Sequence, residues 1–466
     1  MATNTKLGGV FTTDTDNNLA STYMVSTENV CGIIFDTKIV GGLAAALGTG
    51  TKAATTFANG NVVELNTMDD VDAAGLDESV MEGLVYYHIS RFFTLAGSNK
   101  RLFLSFMDST SDSNFSAVEK MQLASGGIIY QIGVWTGEAI ATVSGDNYTV
   151  ADGGVVSKLQ AQAELLGGKV NVTNYEGNAP LNIILNAPVI NAAVCDLEKL
   201  PDISGLGCPK VSYIIGQAAS DTVHEIQLKI ATKTATTAYV PVGNIGAAMA
   251  ALSVAPAHES IANVSNYNLA AVISEAELGF GNLTVATSGE GEEATKKWGD
   301  AVSFTNIKTL GYSKRNNKLH AKGYIFIMNY DGLENGMFFS SDQTLAADSD
   351  YRTIARCRVM HKSRRVVRRA LLPYVNSMIE LDASTGTLLA SDVSALQNVV
   401  LEAIDTNMVS PTDGRTPQIS GRQCTIDETQ NILETDELKI DYRLVPLGLV
   451  SGIYVTEGFA RSISAS

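Results

Sequence analysis

Cysteine is scarce in this chain, and its spacing pairs none of it. Cys31, Cys195, Cys208, Cys357 and Cys424 are odd in number and far apart, with no CxxC among them. That argues against a disulfide framework or a structural zinc site and favours a reducing compartment. Histidine is equally thin: His88, His224, His258, His320 and His361 form neither HxxxH nor HExxH, so no metal site is written locally. GxGxxG and GxxxxGK[ST] are missing. Gly167-Gly168-Lys169 comes nearest to a phosphate loop, but Val170 stands where a hydroxyl is needed. No GxSxG elbow occurs. Asp331, Asp342, Asp348 and Asp350 lack EF-hand spacing and read as a solvated acidic loop. No cofactor and no metal are expected. A catalytic set assembled from distant residues stays open. No apolar run approaches a membrane span, and the opening MATNTKLGG has no signal-peptide core, so direct membrane insertion is not expected.

What is present fits a folded, soluble protein. The 466 residues are 45% hydrophobic and 18% charged, enough for two or three domains. The net charge of -16 disfavours nonspecific nucleic-acid binding by the whole surface. Forty-one glycines, with many Ala, Ser and Thr, suggest turns and tight contacts.

Hydrophobic patterning divides the chain. Residues 1–28 are polar and read as an extended N-terminal arm. Strand and helix then alternate over 29–255. Strands are expected at Cys31–Phe35, Arg101–Phe106, Ile128–Trp135, Leu181–Leu185 and Val211–Ile215. Helices are expected at Ser79–Leu95, Phe115–Leu123, Val155–Leu166 and Ala218–Ile230. That order argues an α/β domain with a largely parallel sheet. Gly243 and Gly246, ahead of an Ala run, let a helix pack closely against a sheet. Residues 256–300 form a connecting region ending in a charged stretch. A C-terminal α+β domain spans 301–436, with its clearest strand at Tyr324–Met328. Residues 437–466 hold terminal strands and an arm.

Two elements in the last third stand out. The first is ARCRVMHKSRRVVRR, Ala355 to Arg369. With Arg352 it holds eight Lys or Arg residues and no acid. At helical spacing Val359, Ser363, Val366, Ala370 and Tyr374 share a face. Arg358, Lys362, Arg365 and Arg369 lie on the other. Pro373 ends or kinks the helix. Such a face is either solvated or paired with acids of this chain or of its neighbours. Direct nucleic-acid binding is disfavoured, because no stacking aromatics interleave with the arginines. The second element is the tail. Leu438, Ile440, Tyr442 and Leu444 alternate with Lys439, Asp441 and Arg443, and Ile453 and Val455 alternate after a glycine turn. Such strands complete their own sheet or a neighbour's edge.

The stretch FFSSDQTLAADSDYRTIARCRVMHKSRRVVRR, Phe338 to Arg369, resembles the C-terminal domain of contractile tail sheath proteins of phages and related injection systems. The order strand (Tyr324–Met328), exposed loop (Asp342–Asp350), basic helix (Tyr351–Arg369), late helix (Ser391–Met408) and closing strands (Leu438–Pro446, Ile453–Phe459) is similar. The resemblance covers about residues 300–466 and is looser over 29–255. It implies a structural subunit, not an enzyme. Such subunits polymerise as stacked hexameric rings in a helical array around an inner tube, and contraction drives the tube through a target envelope. It implies terminal arms, here 1–28 and 437–459, that add strands to neighbouring subunits. The strand-exchange residues would be Leu438, Ile440, Tyr442, Leu444, Ile453 and Val455. The tube-facing or intersubunit residues would be Arg358, Lys362, Arg365 and Arg369, with Ser391–Met408 as a rival contact element. Reversing two of these basic charges is expected to impair assembly in a salt-dependent way. The implied partners are other copies of the chain, an inner tube protein, and baseplate and terminator proteins. The implied location is a virion tail or injection particle assembled in the bacterial cytoplasm. Another tail or baseplate structural protein is the near alternative, and an α/β enzyme with an unrecognised site the distant one.

Overall fold

The computed structural model describes residues 29–97, 100–145, 147–166, 179, 181–190, 195–196, 199–215, 244–266, 283–286, 295–297, 319–328, 330, 338–409, 417–451, 453 and 455. The expected arm 1–28, the expected helix Ala218–Ile230 and the expected strand beyond Val455 lie outside the described residues.

Seven strands build one sheet: β1 (Cys31–Asp36), β2 (Val63–Leu65), β3 (Leu102–Met107), β4 (Gln131–Trp135), β5 (Asn182–Asn186), β6 (Val211–Ile214) and β7 (Tyr324–Ile325). Their order across the sheet is β7-β6-β5-β4-β1-β3-β2. Every pair is parallel except β2 with β3, at one edge. β1, β3, β4, β5 and β6 are buried at every position. That is why most of their positions are apolar, and Leu102–Phe106, which the sequence presents as alternating, is buried on both sides. The short edge strand β2 lacked an apolar run and was not legible in the sequence.

Helices cover both faces. Helices α1 (Leu84–Ala96), α2 (Ala117–Ala124), α3 (Val155–Leu166) and α4 (Ile245–Val254) belong to this unit. Gly32 of β1 faces Met121 of α2, whereas Gly133 of β4 faces Ile245 of α4. Gly32 pairs with Ile132, so Gly133 points to the opposite side. The small residues of α4 reflect its crowding: Ile245 through Ser253 are all buried. A Cβ on Gly246 would stand 2.1 Å from the His88 carbonyl of α1. The expected close approach at Gly246 is therefore made against a helix, while Gly133 admits α4 to the sheet.

The C-terminal part adds helix α5 (Ile354–Leu371), helix α6 (Ala390–Ile404) and strands β8 (Ile419–Ile426) and β9 (Ile440–Pro446). The expected strand Tyr324–Met328 is split. Its first half is β7 and closes the large sheet, while Ile327–Met328 pairs antiparallel with Phe338–Phe339. The large sheet thus draws on residues either side of position 301. β8 and β9 form a two-stranded antiparallel ribbon, with Cys424 opposite Tyr442 and Ile426 opposite Ile440. A second core binds it: Val359, Val367 and Leu371 of α5 cluster with Val400 and Ile404 of α6 and with Ile419 and Cys424 of β8.

Candidate functional site

Helix α5 begins where the sequence supplies caps. The Thr353 hydroxyl accepts from the Arg356 amide at 3.2 Å, and the Asp342 carbonyl accepts from the Ile354 amide at 2.8 Å. These satisfy first-turn donors that have no partner within the helix. Burial raises the Asp342 carboxyl above its ordinary range, partly offset by hydrogen bonds from the Ala355 amide and the Ser260 side chain. Leu371 leads into a short turn over Leu372–Tyr374 that contains Pro373, so the helix ends where proline requires. Arg368 and Arg369 occupy its last turn, the end a cation favours.

The helix lies between two surfaces, and this changes the reading of its basic face. Val359, Val367 and Leu371 meet α6 and the ribbon. The other side meets the amino-terminal edge of the large sheet. Arg358 is only 3% exposed and Lys362 only 8%. Arg358 donates to the carbonyls of Ala255 (2.7 Å), Leu252 (3.2 Å) and Pro256 (3.3 Å), and to Asn29 Oδ1 (3.2 Å). It therefore caps the C-terminal end of α4, where orphan carbonyls and the helix dipole both attract a cation. Arg365 donates to the Tyr130 hydroxyl at 2.8 Å and sits over its ring at 4.9 Å. Lys210 Nζ, just before β6, is 2.9 Å from His361 Nε2. Burial first, then Lys210 and the arginines Arg364, Arg365 and Arg358, push His361 well below its ordinary value.

Arg358 and Lys362, expected as intersubunit or tube contacts, are thus buried within the single chain. The sequence showed that the face was basic but not that carbonyls at a helix end could receive Arg358. Arg365 is half-buried, and Arg369 is the exposed member of the set.

The ribbon keeps the alternation that the sequence predicts. Leu438, Ile440, Tyr442 and Leu444 are half-buried and pack on the C-terminal cores, while Lys439, Asp441 and Arg443 are exposed. Tyr442 Oη lies 3.3 Å from Ser363 Oγ of α5. β9 pairs within its own chain, with β8, a strand the sequence reading had not predicted because SGRQ interrupts its apolar pattern. Beyond β9 the expected second strand is not formed at Ile453 or Val455. Ile453 is 80% exposed and Val455 73% exposed, and Val445, Leu449 and Val450 are exposed as well.

The carboxyl edge of the sheet, where ligands of open α/β folds bind beside the point at which strand order reverses, lies between β1 and β4. Asp36 is buried there. It accepts from Thr136 Oγ1 at 2.6 Å and from the amides of Ser109 and Lys38 at 3.0 and 3.1 Å. Glu138 beside it pairs with Lys38 and accepts from Ser109 Oγ. These contacts lock loops together. Among the described residues no group of three or more His, Cys, Asp or Glu side chains is placed to hold a metal, and no described helix is long and apolar enough to cross a membrane.

Residues 350–464 match the family model described as DUF2586, C-terminal domain, a span that begins just before α5 and runs through the ribbon and tail. No curated protein matches the chain. Among solved structures, the chain is similar to a component of the anti-feeding prophage baseplate, 6-fold symmetrised, at 10% identity and a TM-score of 0.49, covering 94% of each chain. It is also similar to a component of the PVC sheath complex of an extracellular contractile injection system in the contracted state. There the identity is 10% and the TM-score 0.49, over 93% of this chain and 92% of that one. A third likeness is to a component of the anti-feeding prophage baseplate in the contracted state, at 12% identity and a TM-score of 0.45, covering 93% of each chain.

Proposed function

We propose that this chain is a structural subunit of a contractile sheath, which polymerises as stacked hexameric rings around an inner tube and contracts to drive that tube through a target envelope. The observation that carries the reading is the C-terminal ribbon. Among the described residues it has two strands, β8 and β9, and a two-stranded sheet is marginal until further strands or a packed face complete it. One face is packed on α5 and α6, but among the described residues each strand has a neighbour on one side only. Directly after β9 comes a segment with Leu449, Val450, Ile453 and Val455 exposed. A ribbon edge without a partner strand among the described residues, and an exposed apolar segment in the same chain, are the two halves of strand addition between copies. The same stretch carries the ordered elements that resemble sheath C-terminal domains.

On this reading Leu438, Ile440, Tyr442 and Leu444 hold the receiving ribbon, while Ile453 and Val455 belong to the donated arm. Arg369 and the accessible part of Arg365 supply charged contact to a neighbour or the tube. Arg358 and Lys362 hold the subunit together. A tail or baseplate structural protein built on the same ribbon is the second reading, since the open edge fits any ring.

Negative-stain electron microscopy of the purified chain at several salt concentrations separates them. Long hollow cylinders of stacked rings support a sheath. Single closed rings that never stack favour the baseplate reading. A chain that stays monomeric, alone and when co-expressed with its neighbouring gene products, contradicts both.

A further inference from the structure

A small core beside the ribbon gathers Leu388, Val393 and Leu396 with Ile426, and two separate segments pack on it through Ile379 and Ile432. In each segment the adjacent residue is thrown outward: Met378 is 99% exposed and Leu433 76%. The Leu388 amide donates to the Glu428 carbonyl at 3.1 Å, which ties the two segments together. Two large apolar side chains held out beside one core leave water only in an interface. The rim of this patch is acidic. Glu380, Glu428, Glu434 and Asp436 are exposed, and among the described residues none of them forms an ion pair. Lys439 is the one base in residues 374–389 and 426–439.

We infer that this acid-rimmed apolar patch docks on helix α5 of a second copy, along the ridge Arg356, Met360 and Arg364 with Arg352 at its head. Residues four apart on a helix form one ridge. Arg352 is exposed and the other three are half-buried. The two surfaces match in kind: each has an apolar centre, and their flanking charges are opposite. Within the subunit Arg364 donates to the Tyr351 hydroxyl at 3.5 Å, a neutral partner, and Arg356 lies close enough to Asp342 to act on its carboxyl. Charge complementarity names the occupant. Copies of a chain with net charge -16 repel one another as wholes, so they meet favourably where one of them presents a local excess of bases. The stretch from Arg352 to Arg369 is that excess, with eight Lys or Arg and no acid. A contact between two different surfaces is heterologous and repeats around a ring instead of closing at a dimer. The choice of a second copy rests on the self-assembly proposed above.

The test is sedimentation of the full-length chain at low salt, with the denaturation midpoint of each variant as the check on folding. Asp382 and Asp427 accept from the backbone of their own turns and are left intact, as is Arg356. Glu380→Lys/Glu434→Lys and Arg352→Glu/Arg364→Glu should each weaken self-association at least about tenfold. The chain carrying all four substitutions should regain it, because lysines on the patch of one copy then meet glutamates on the ridge of the next. Met378→Asp/Leu433→Asp, at two exposed positions, should weaken it as well and gives a readout that does not depend on how a reversed helix folds. Self-association that the patch variants leave unchanged overturns the docking and spares the assembly reading. Loss that the fourfold reversal fails to regain, in chains that keep their midpoint, overturns α5 as the receiving ridge. An unmodified chain that never self-associates, alone or with its neighbouring gene products, overturns the docking together with the assembly reading.

Discussion

Arg358 shows what a single residue does in this molecule. It joins α5 to the end of α4, where the carbonyls of Leu252 and Ala255 would otherwise face no donor. Replacing it with alanine leaves those buried acceptors unsatisfied and is expected to cost about 3 kcal/mol, read by urea denaturation. Arg369→Gln, on an exposed position of the same helix, should stay within about 0.5 kcal/mol. His361 makes a prediction with a sign. Its folded value lies below its unfolded value, so the unfolded chain binds the extra proton first. The contribution is fully present above about pH 6.5 and is lost as pH falls from there toward the folded value. Burial drives this first, and Lys210 before β6 with Arg364, Arg365 and Arg358 on the helix itself add to it. The melting temperature is expected to drop between pH 7 and pH 5, and His361→Gln to flatten that slope. Asp342 works the other way in a more acid window, because burial raises it: protonation through its folded value relieves a cost. The thiols of Cys31 and Cys357 are buried and pushed up to about 12 and about 11. They should react with thiol reagents only on unfolding.

At the scale of elements, tight packing around α4 gives a second test. Gly246→Ala would set a methyl 2.1 Å from the His88 carbonyl. The two helices must then separate, at an expected cost of about 3 kcal/mol by chemical denaturation. Glycine ahead of an Ala run made a close approach legible in the sequence. Which partner lay opposite was not, since apolar periodicity reports burial and not the neighbour. The five buried strands β1, β3, β4, β5 and β6 were legible in the sequence, β3 from the alternation of Leu102, Leu104 and Phe106. β8 was not, because its interior, Ser420 to Gln423, is polar and its apolar residues Ile419, Cys424 and Ile426 are too widely separated. The charge of α5 was plain, yet its direction was hidden. A basic face reads the same whether carboxylates or helix-end carbonyls receive it. The ribbon's alternation gave the half-buried face of β9 correctly, while nothing local distinguished pairing within the chain from pairing between chains.

At the scale of the whole molecule, among the described residues the basic helix α5 packs on both the α/β unit and the C-terminal ribbon. A force applied through the ribbon would therefore pass into the large sheet by way of α5. Ile453→Asp with Val455→Asp changes only exposed side chains. It should leave the subunit's denaturation midpoint unaltered while abolishing ordered assembly under the microscope. Loss of stability together with assembly would instead mean that the tail belongs to the subunit's own fold.

Hydrogen exchange on the backbone amides of residues 419–455, compared between the isolated subunit and the assembled particle, tests the central claim most directly. If strands are added between copies, amides of β8 and of the Leu447–Val455 segment should exchange at least about a hundredfold more slowly after assembly. Unchanged exchange there in a particle that has plainly assembled would contradict the claim that the C-terminal ribbon is its joining edge.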